Sequence, residues 1–328
     1  MTLMNRDNRA ILISGLFICL IFISGCTKES ATESSNLIVP HEERWGIYSL
    51  NRASEEVQLL YSSTQQMVGL RLSNDGTRFA FAHRIDGDSM HYEEICTVDI
   101  DGSNFERLNQ NNHMDTYPSW SPDDSQIAYL SWPGATLDIY LMNSDGTGVS
   151  LLYDSGSHDA DIDWLNDKIT YTQDSQIWMM DDDGSNPTQI TDPPNAGQWG
   201  NANLPFGDYD PRFHPDGTKI VFERLVDDSS VHGNYEIFTI DTDGSNEIQL
   251  TNTGYSQGLQ SWSHDGSELV FIVAAIGTTG QYDIYMMNAD GSDYRNVTPT
   301  YFPPEFLCHK AVFSSDDSSI YFIGEWWE

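Results

Sequence analysis

The stretch "YEIFTIDTDGSNEIQLT", Tyr235 to Thr251, has two incompatible readings. Its centre, Asp241-Thr-Asp-Gly-Ser-Asn, is either a calcium loop or a turn between two β-strands. An EF-hand loop needs oxygen ligands at positions 1, 3 and 5, glycine at 6 and a bidentate glutamate at 12. With Gly244 at position 6, position 1 is Thr239 and position 12 is Leu250. Four related stretches follow the same pattern: "EICTVDIDGSNFERL" from Glu94, "DIYLMNSDGTGVSLL" from Asp138, "QIWMMDDDGSNPTQI" from Gln176 and "DIYMMNADGSDYRNV" from Asp283. They place Thr97, Leu141, Met179 or Met286 at the first position and Leu108, Leu152, Ile190 or Val297 at the last. A closing ligand that is apolar in every copy does not hold calcium. Glycine accepts φ > 0, Asp and Asn bond their own backbone, and the flanks are β-formers, so the stretch is a hairpin.

A second motif alternates with the first. It runs "YPSWSPDDSQIAYLS" from Tyr117, "DIDWLNDKITYTQ" from Asp161, "DPRFHPDGTKIVFER" from Asp210, "LQSWSHDGSELVFIV" from Leu259 and "KAVFSSDDSSIYFIG" from Lys310, with a weaker "GLRLSNDGTRFAFAH" from Gly69. One copy of each motif makes a four-stranded unit of about 40–50 residues, the period of a propeller blade. The ends are incomplete in complementary ways. "RWGIYSLNRASEEVQLLY", Arg44 to Tyr61, matches the Asp-Gly hairpin without a partner before it, and the hairpin from Lys310 has no Asp-Gly hairpin after it. Pairing the two completes a sixth blade and leaves no open edge. The pattern predicts an all-β, six-bladed β-propeller closed by its N-terminal and C-terminal hairpins.

The repeats resemble those of TolB-like propellers, carried by "WSPDDSQIAYLS", "FHPDGTKIVFER" and "WSHDGSELVFIV", each followed by "IYxM…DG" and often "LT". The same repeat class occurs in the propellers of prolyl-oligopeptidase-type peptidases. The resemblance covers residues 44–328 and implies the fold. It does not carry function, because TolB proper has an additional α/β domain and the peptidases have a hydrolase domain, neither matched here. The N-terminus resembles a bacterial lipoprotein signal: Arg6 and Arg9, an apolar run from Ala10 to Phe22, then Ile23-Ser24-Gly25-Cys26. The resemblance implies a signal peptide over 1–25, acylation of Cys26, a tether over 26–43 and, with Thr27 after the cysteine, an outer-membrane location facing the periplasm.

Charge restricts the partners. Against 15 Lys plus Arg stand 50 Asp plus Glu, a net −35, which disfavours nucleic acid. Apart from the lipid at Cys26, the expected partner is a protein, peptide or glycan of the envelope, bound by a monomer. Cys96 and Cys308 lie in apolar strand-like stretches and read as buried free thiols. Gly254-Tyr-Ser256-Gln-Gly258 matches the G-x-S-x-G nucleophile elbow but falls between blades with no helix after it, so it is a chance match.

Candidate site residues come from the inter-blade connections, which crowd one mouth of a propeller channel. Asp115, Asp159 and Asp208 each precede the aromatic anchor of their strand by five residues, and Asp161 and Asp210 lie two further on. His113, His158 and His309 are nearby. Together they suggest an acidic funnel for a cation or basic peptide, or alternatively Asp side chains bonded within their own loops. The longest connection, "DPPNAGQWGNANLPFGDYD" from Asp192 to Asp210, adds Trp199, Phe206 and Tyr209 as stacking residues, and Tyr301, Phe302 and Phe306 sit in the equivalent loop of the last blade. No cofactor is implied, although carboxylates with flanking His suit a hard divalent cation. The reading these features favour is a non-catalytic envelope lipoprotein that binds its partner at an acidic, aromatic-lined channel mouth. The alternatives are a metal-dependent enzyme resembling polysaccharide lyases and a purely structural envelope protein.

Overall fold

The computed structural model describes residues 43–84, 92–230, 232–274 and 282–327. The expected signal and Cys26 lie outside the described residues. Within them every regular element is a β-strand, and six antiparallel four-stranded sheets form a ring. The chain opens with β1 (Glu43–Asn51) and β2 (Val57–Ser63). Blade one holds β3 (Met67–Leu72), β4 (Arg78–Arg84), β5 (Glu93–Asp99) and β6 (Glu106–Arg107). Blade two holds β7 (Asp115–Trp120), β8 (Gln126–Ser131), β9 (Asp138–Asn143) and β10 (Ser150–Tyr153). Blade three holds β11 (Asp159–Leu165), β12 (Lys168–Gln173), β13 (Gln176–Asp181) and β14 (Thr188–Gln189). Blade four holds β15 (Asp208–Phe213), β16 (Lys219–Asp227), β17 (Asn234–Asp241) and β18 (Ile248–Gln249). Blade five holds β19 (Ser256–Trp262), β20 (Glu268–Ala274), β21 (Tyr282–Asn288) and β22 (Arg295–Asn296).

Blade six is the closure. Its strands run β2-β1-β24-β23, where β23 is Leu307–Phe313 and β24 is Ser319–Trp327. Strand β1 pairs with β24 in unbroken register from Glu43↔Trp327 to Asn51↔Ser319. The expected joining of the two ends is therefore observed residue by residue.

Strand periodicity explains the packing between blades. Along β4, Phe79 and Phe81 face blade six, where Trp45, Ile47 and Ile323 meet them. The alternate residues Ala80 and Ala82 face Trp120, Ile127 and Met142 of blade two. A middle strand buried on both sides therefore reads as a continuous apolar run.

The Asp-Gly stretches are turns, as the apolar closing positions require. Asp241 N–H donates to Ser245 O at 2.9 Å, Gly244 N–H to Asp241 O at 2.9 Å, and Ser245 N–H to Asp243 Oδ1 at 2.9 Å. Asp241 also accepts from Asn246 Nδ2 at 2.7 Å and from Lys219 Nζ, so the loop's carboxylates are occupied by its own donors. Gly102 shows why the turn needs glycine. Its φ is +83°, and a Cβ there would be driven into the Leu60 carbonyl of the preceding blade.

The inner strands β3, β7, β11, β15, β19 and β23 neighbour one another around the axis. Every one of them breaks register with its partner strand by a bulge. In five blades the bulge opens with a residue in the left-handed region: Gly69 (φ 69°), Tyr117 (50°), Asp161 (53°), Asp210 (50°) and Leu259 (56°). Blade six shifts one residue earlier, between Cys308 and Ala311. Left-handed non-glycine residues cost on the order of 1–3 kcal/mol each and cluster where function needs them. Four of those described, Tyr117, Asp161, Asp210 and Leu259, stand around the channel, and the others lie in turns and loops.

Candidate functional site

The inner strands begin at the face that carries the inter-blade connections, and two devices fix those connections. The first residue of an Asp-Gly motif grips the loop that follows it. Glu94 Oε1 accepts from Asn111 N–H at 3.0 Å and Arg107 NH2 at 2.7 Å, and Glu236 Oε1 accepts from Thr253 N–H at 2.8 Å and Gly254 N–H at 3.1 Å. The threonine of "LT" caps a strand: Thr191 and Thr251 Oγ1 accept from Ile177 and Ile237 N–H at 2.9 and 2.8 Å. Thr298 does the same for Ile284, and Asn109 for Ile95, both at 2.8 Å.

Asp115, Asp159 and Asp208 occupy equivalent places at the start of their strands, and all three are fully buried. Each is engaged inside the protein. Asp115 Oδ2 accepts from the amides of Asn109 and Asn111, and burial pushes its carboxyl up to about 6. Asp159 Oδ2 accepts from Ser155 N–H at 3.3 Å, its Oδ1 has no hydrogen-bond partner, and burial pushes it up to about 7. Asp208 is held by Arg224, Nε to Oδ1 at 2.5 Å and NH2 to Oδ2 at 2.9 Å, and Arg224 also grips Glu247. In blade five Gln257 takes this place and donates to Glu236 Oε2 at 2.8 Å, so the G-x-S-x-G match is structural.

The histidines stand apart, one on each of three blades. His113 Nε2 lies 3.7 Å from Asp115 Oδ1. His158 Nδ1 accepts from Leu137 N–H at 3.0 Å and its ring meets Trp132 edge-on. His309 Nε2 lies 2.9 Å from Glu325 Oε2, and its ring stacks on Trp45 with centroids 5.0 Å apart. Among the described residues no group of three or more His, Cys, Asp or Glu side chains is arranged to hold a metal. The long connection into β15 is packed. Tyr209 is buried, its hydroxyl donating to Pro205 O at 2.7 Å, while Trp199 is 48 % exposed. Phe302 and Phe306 join Tyr48, Phe322 and Trp326 in an aromatic cluster, leaving Tyr301 at the surface.

The channel interior is charged in both signs. Asp161 and Asp210 are buried at the bulges, with Asp161 Oδ2 accepting from Asp210 N–H at 3.2 Å. Burial pushes Asp210 up, but Arg212, Lys310 and Arg71 together outweigh it and hold the carboxylate below its ordinary range. Glu223, behind it, is pushed well above the carboxylate range by burial and then by Asp210 and Asp161. A cleft runs inward from the mouth between blades six and one. Trp45, Met67, Val68 and Ile323 wall it, and Arg71, Arg212, Lys310 and Asp210 reach it. It encloses about 460 Å³ measured to its open mouth, of which about 30 Å³ admits the centre of a water-sized body. It therefore takes a slender group. Composition did not point to these cations. The available signal was that, of only 15 Lys plus Arg, two occupy the same repeat position, one residue before the anchors Leu72 and Phe213.

The geometry defines a closed six-bladed β-propeller with a narrow, cation-bearing cleft at one mouth. No family model matches the chain. An uncharacterized protein of Agrobacterium fabrum is 28% identical over 214 residues, 61% of this chain and 68% of that protein. A TolB homolog of Chlorobium luteolum is 23% identical over 155 residues, 46% of this chain and 32% of the relative, so the match spans about a third of that protein. The solved structure of a putative TolB from Agrobacterium tumefaciens superimposes with a TM-score of 0.67 at 17% identity, covering 87% of this chain and 99% of that one. The chain therefore has the six-bladed propeller fold of these TolB-like structures.

Proposed function

We propose that this chain is a non-catalytic, lipid-anchored binding protein of the cell envelope that takes a protein or peptide partner at the channel mouth. The observation that carries this reading is the cleft. It is a pre-formed apolar throat ending in fixed charges, encircled by backbone held in left-handed geometry. Trp199 adds an exposed aromatic on the same face. The candidate carboxylates at the strand starts serve the fold, so the partner meets the cleft and the loop surfaces above it. The lipoprotein-like leader supports the envelope, and the likeness to a protein named as a TolB homolog fits a binding role there.

The test uses the full chain in cells, with a photo-crosslinking residue at Gln66 or Trp199 on the mouth and, for comparison, at Asp101 or Asp183 on the Asp-Gly turns of the opposite face. Adducts with a defined envelope protein are expected from the mouth positions alone. Equal adducts from both faces, or none from the mouth, overturn the reading. Anchoring is tested separately. Cys26→Ser is expected to abolish incorporation of an alkyne-labelled fatty acid and to leave residues 1–25 attached. Undiminished labelling would remove the lipid from the account.

A further inference from the structure

We propose that the cleft is a carboxylate-binding site, accepting one carboxylate carried at the end of a slender apolar stem. The inference rests on the mouth being a binding surface and names the chemistry of what enters it. In a chain with 50 acidic against 15 basic residues, three basic side chains from three different blades converge on this one cleft, two of them guanidiniums and the third, Lys310, an amine that burial holds well below its ordinary range. Arg71 comes from β3, Arg212 from β15 and Lys310 from β23. A single lining carboxylate, Asp210, answers them: Arg212 NH2 pairs with its Oδ1, and Lys310 Nζ lies 3.6 Å from its Oδ2.

Backbone carbonyls hold these basic groups beside the one lining carboxylate, Asp210. Arg71 NH2 and Arg212 NH1 both donate to the same carbonyl, Ile162 O, each at 3.3 Å. Lys310 Nζ donates to Leu259 O at 3.0 Å and Gln260 O at 2.9 Å. Two guanidiniums on one carbonyl repel each other, and with burial Arg212 contributes to lowering Arg71 to about 10. Both side chains keep a donor in reserve, because Nε of Arg71 and Nε of Arg212 are buried without a hydrogen-bond partner, and Arg212 is only 4 % exposed. Unpaired buried donors of this kind are costly and call for an acceptor, a water or a bound group, while Asp210 Oδ2 beside them is likewise without a hydrogen-bond partner. The remaining charges lie behind the cleft. Asp161 and Asp163 accept from the backbone N–H of Asp210 and Phe213, and Glu223 Oε2 accepts from Leu259 N–H. A planar carboxylate supplies two acceptors to such forks and relieves the repulsion between them. The throat of Trp45, Met67, Val68 and Ile323 sets the second requirement, an apolar stem.

The experiment is titration calorimetry with a thermal-shift readout on the intact mature protein. Its probes are hexanoate, the isosteric hexanamide, inorganic phosphate, and one hexapeptide with either a free or an amidated C-terminus. A Kd on the order of 1 mM or tighter is expected for a carboxylate probe, at least tenfold weaker for its amide, and weakened at least tenfold by Arg71→Gln. Hexanoate binding as well as the peptide identifies a small free acid. Binding of the free-ended peptide alone identifies a chain terminus. Equal binding of acid and amide, or no binding of any carboxylate, overturns the proposal. If crosslinks still form at the mouth in that event, the partner-binding reading stands and only the carboxylate site falls.

Discussion

Deleting Arg44 to Tyr61 is expected to abolish cooperative folding, and Ile47→Asp alone to lower the melting temperature by on the order of 10 °C or more. Strand β1 is a middle strand of blade six, paired with β24 on one side and β2 on the other. Without it β24 keeps only β23 as a partner and the ring acquires the open edges that closure removes. The strand also delivers Trp45, Ile47, Tyr48 and Leu50 to two inter-blade clusters, none of them more than 9 % exposed. At roughly 1.5–3 kcal/mol for each buried side chain, their loss is on the order of 6–12 kcal/mol. That is comparable with the roughly 5–15 kcal/mol that keeps a domain folded. Leu59 of β2, 46 % exposed, is the control. Leu59→Asp is expected to move the melt little, because surface changes fall within about 0.5 kcal/mol. Circular dichroism melts of the three variants decide the matter. An unchanged melt for the deletion would mean that five blades hold without closure.

The fold was legible because its signals are local and repeated. An Asp-Gly turn depends on a few neighbouring residues, so five copies that all fail as calcium loops identify hairpins before any tertiary contact is known. Closure was legible for a different reason: two half-repeats at opposite ends leave edges that only each other can satisfy. For the candidate residues, the place in the fold was legible and the surroundings were not. Counting back from the aromatic anchors placed Asp115, Asp159 and Asp208 at equivalent points, and the structure puts them there. What counting does not give is the direction of a carboxylate, which depends on the bulge that follows and on partners from other strands. Asp208 meets Arg224 across its own sheet, and Asp115 meets Asn109 and Asn111 of the preceding loop. Arg71, Arg212 and Lys310 lie 141 and 98 residues apart in turn, and only the ring brings them together. The "LT" threonine was visible as a recurrence, but its bond to an N–H fourteen residues earlier requires the hairpin to be folded first.

Stability is expected to fall as pH rises from about 4 to about 7, and Asp159→Asn is expected to remove the largest single part of that fall. Burial lifts Asp159 from 3.8 to about 7, Asp115 from 3.8 to about 6 and Glu93 from 4.5 to about 7. A carboxyl raised in the folded state holds its proton where the unfolded chain has released it. The folded state therefore binds more protons across that window, and stability declines with increasing pH. The contribution is fully present below pH 4, is lost progressively up to about 7, and changes no further above. For Asp159 the displacement from 3.8 to about 7 corresponds to roughly 4 kcal/mol. Ser155 offsets only part of the burial, because Oδ1 has no hydrogen-bond partner. The net charge of −35 adds a trend of the same sign, since protonation relieves general repulsion, so the wild-type profile alone does not identify the group. The variant does. Asparagine keeps the shape and an oxygen for the Ser155 N–H but has no charge to bury. Asp159→Asn is therefore expected to stabilise the protein by about 2–4 kcal/mol at pH 8 and to leave it almost unchanged at pH 4. Urea unfolding at the two pH values measures the difference directly. An equal effect at both would show that Asp159 is ionised in the folded protein, and the same experiment on Asp115→Asn and Glu93→Gln would then locate the proton uptake elsewhere among the buried acids.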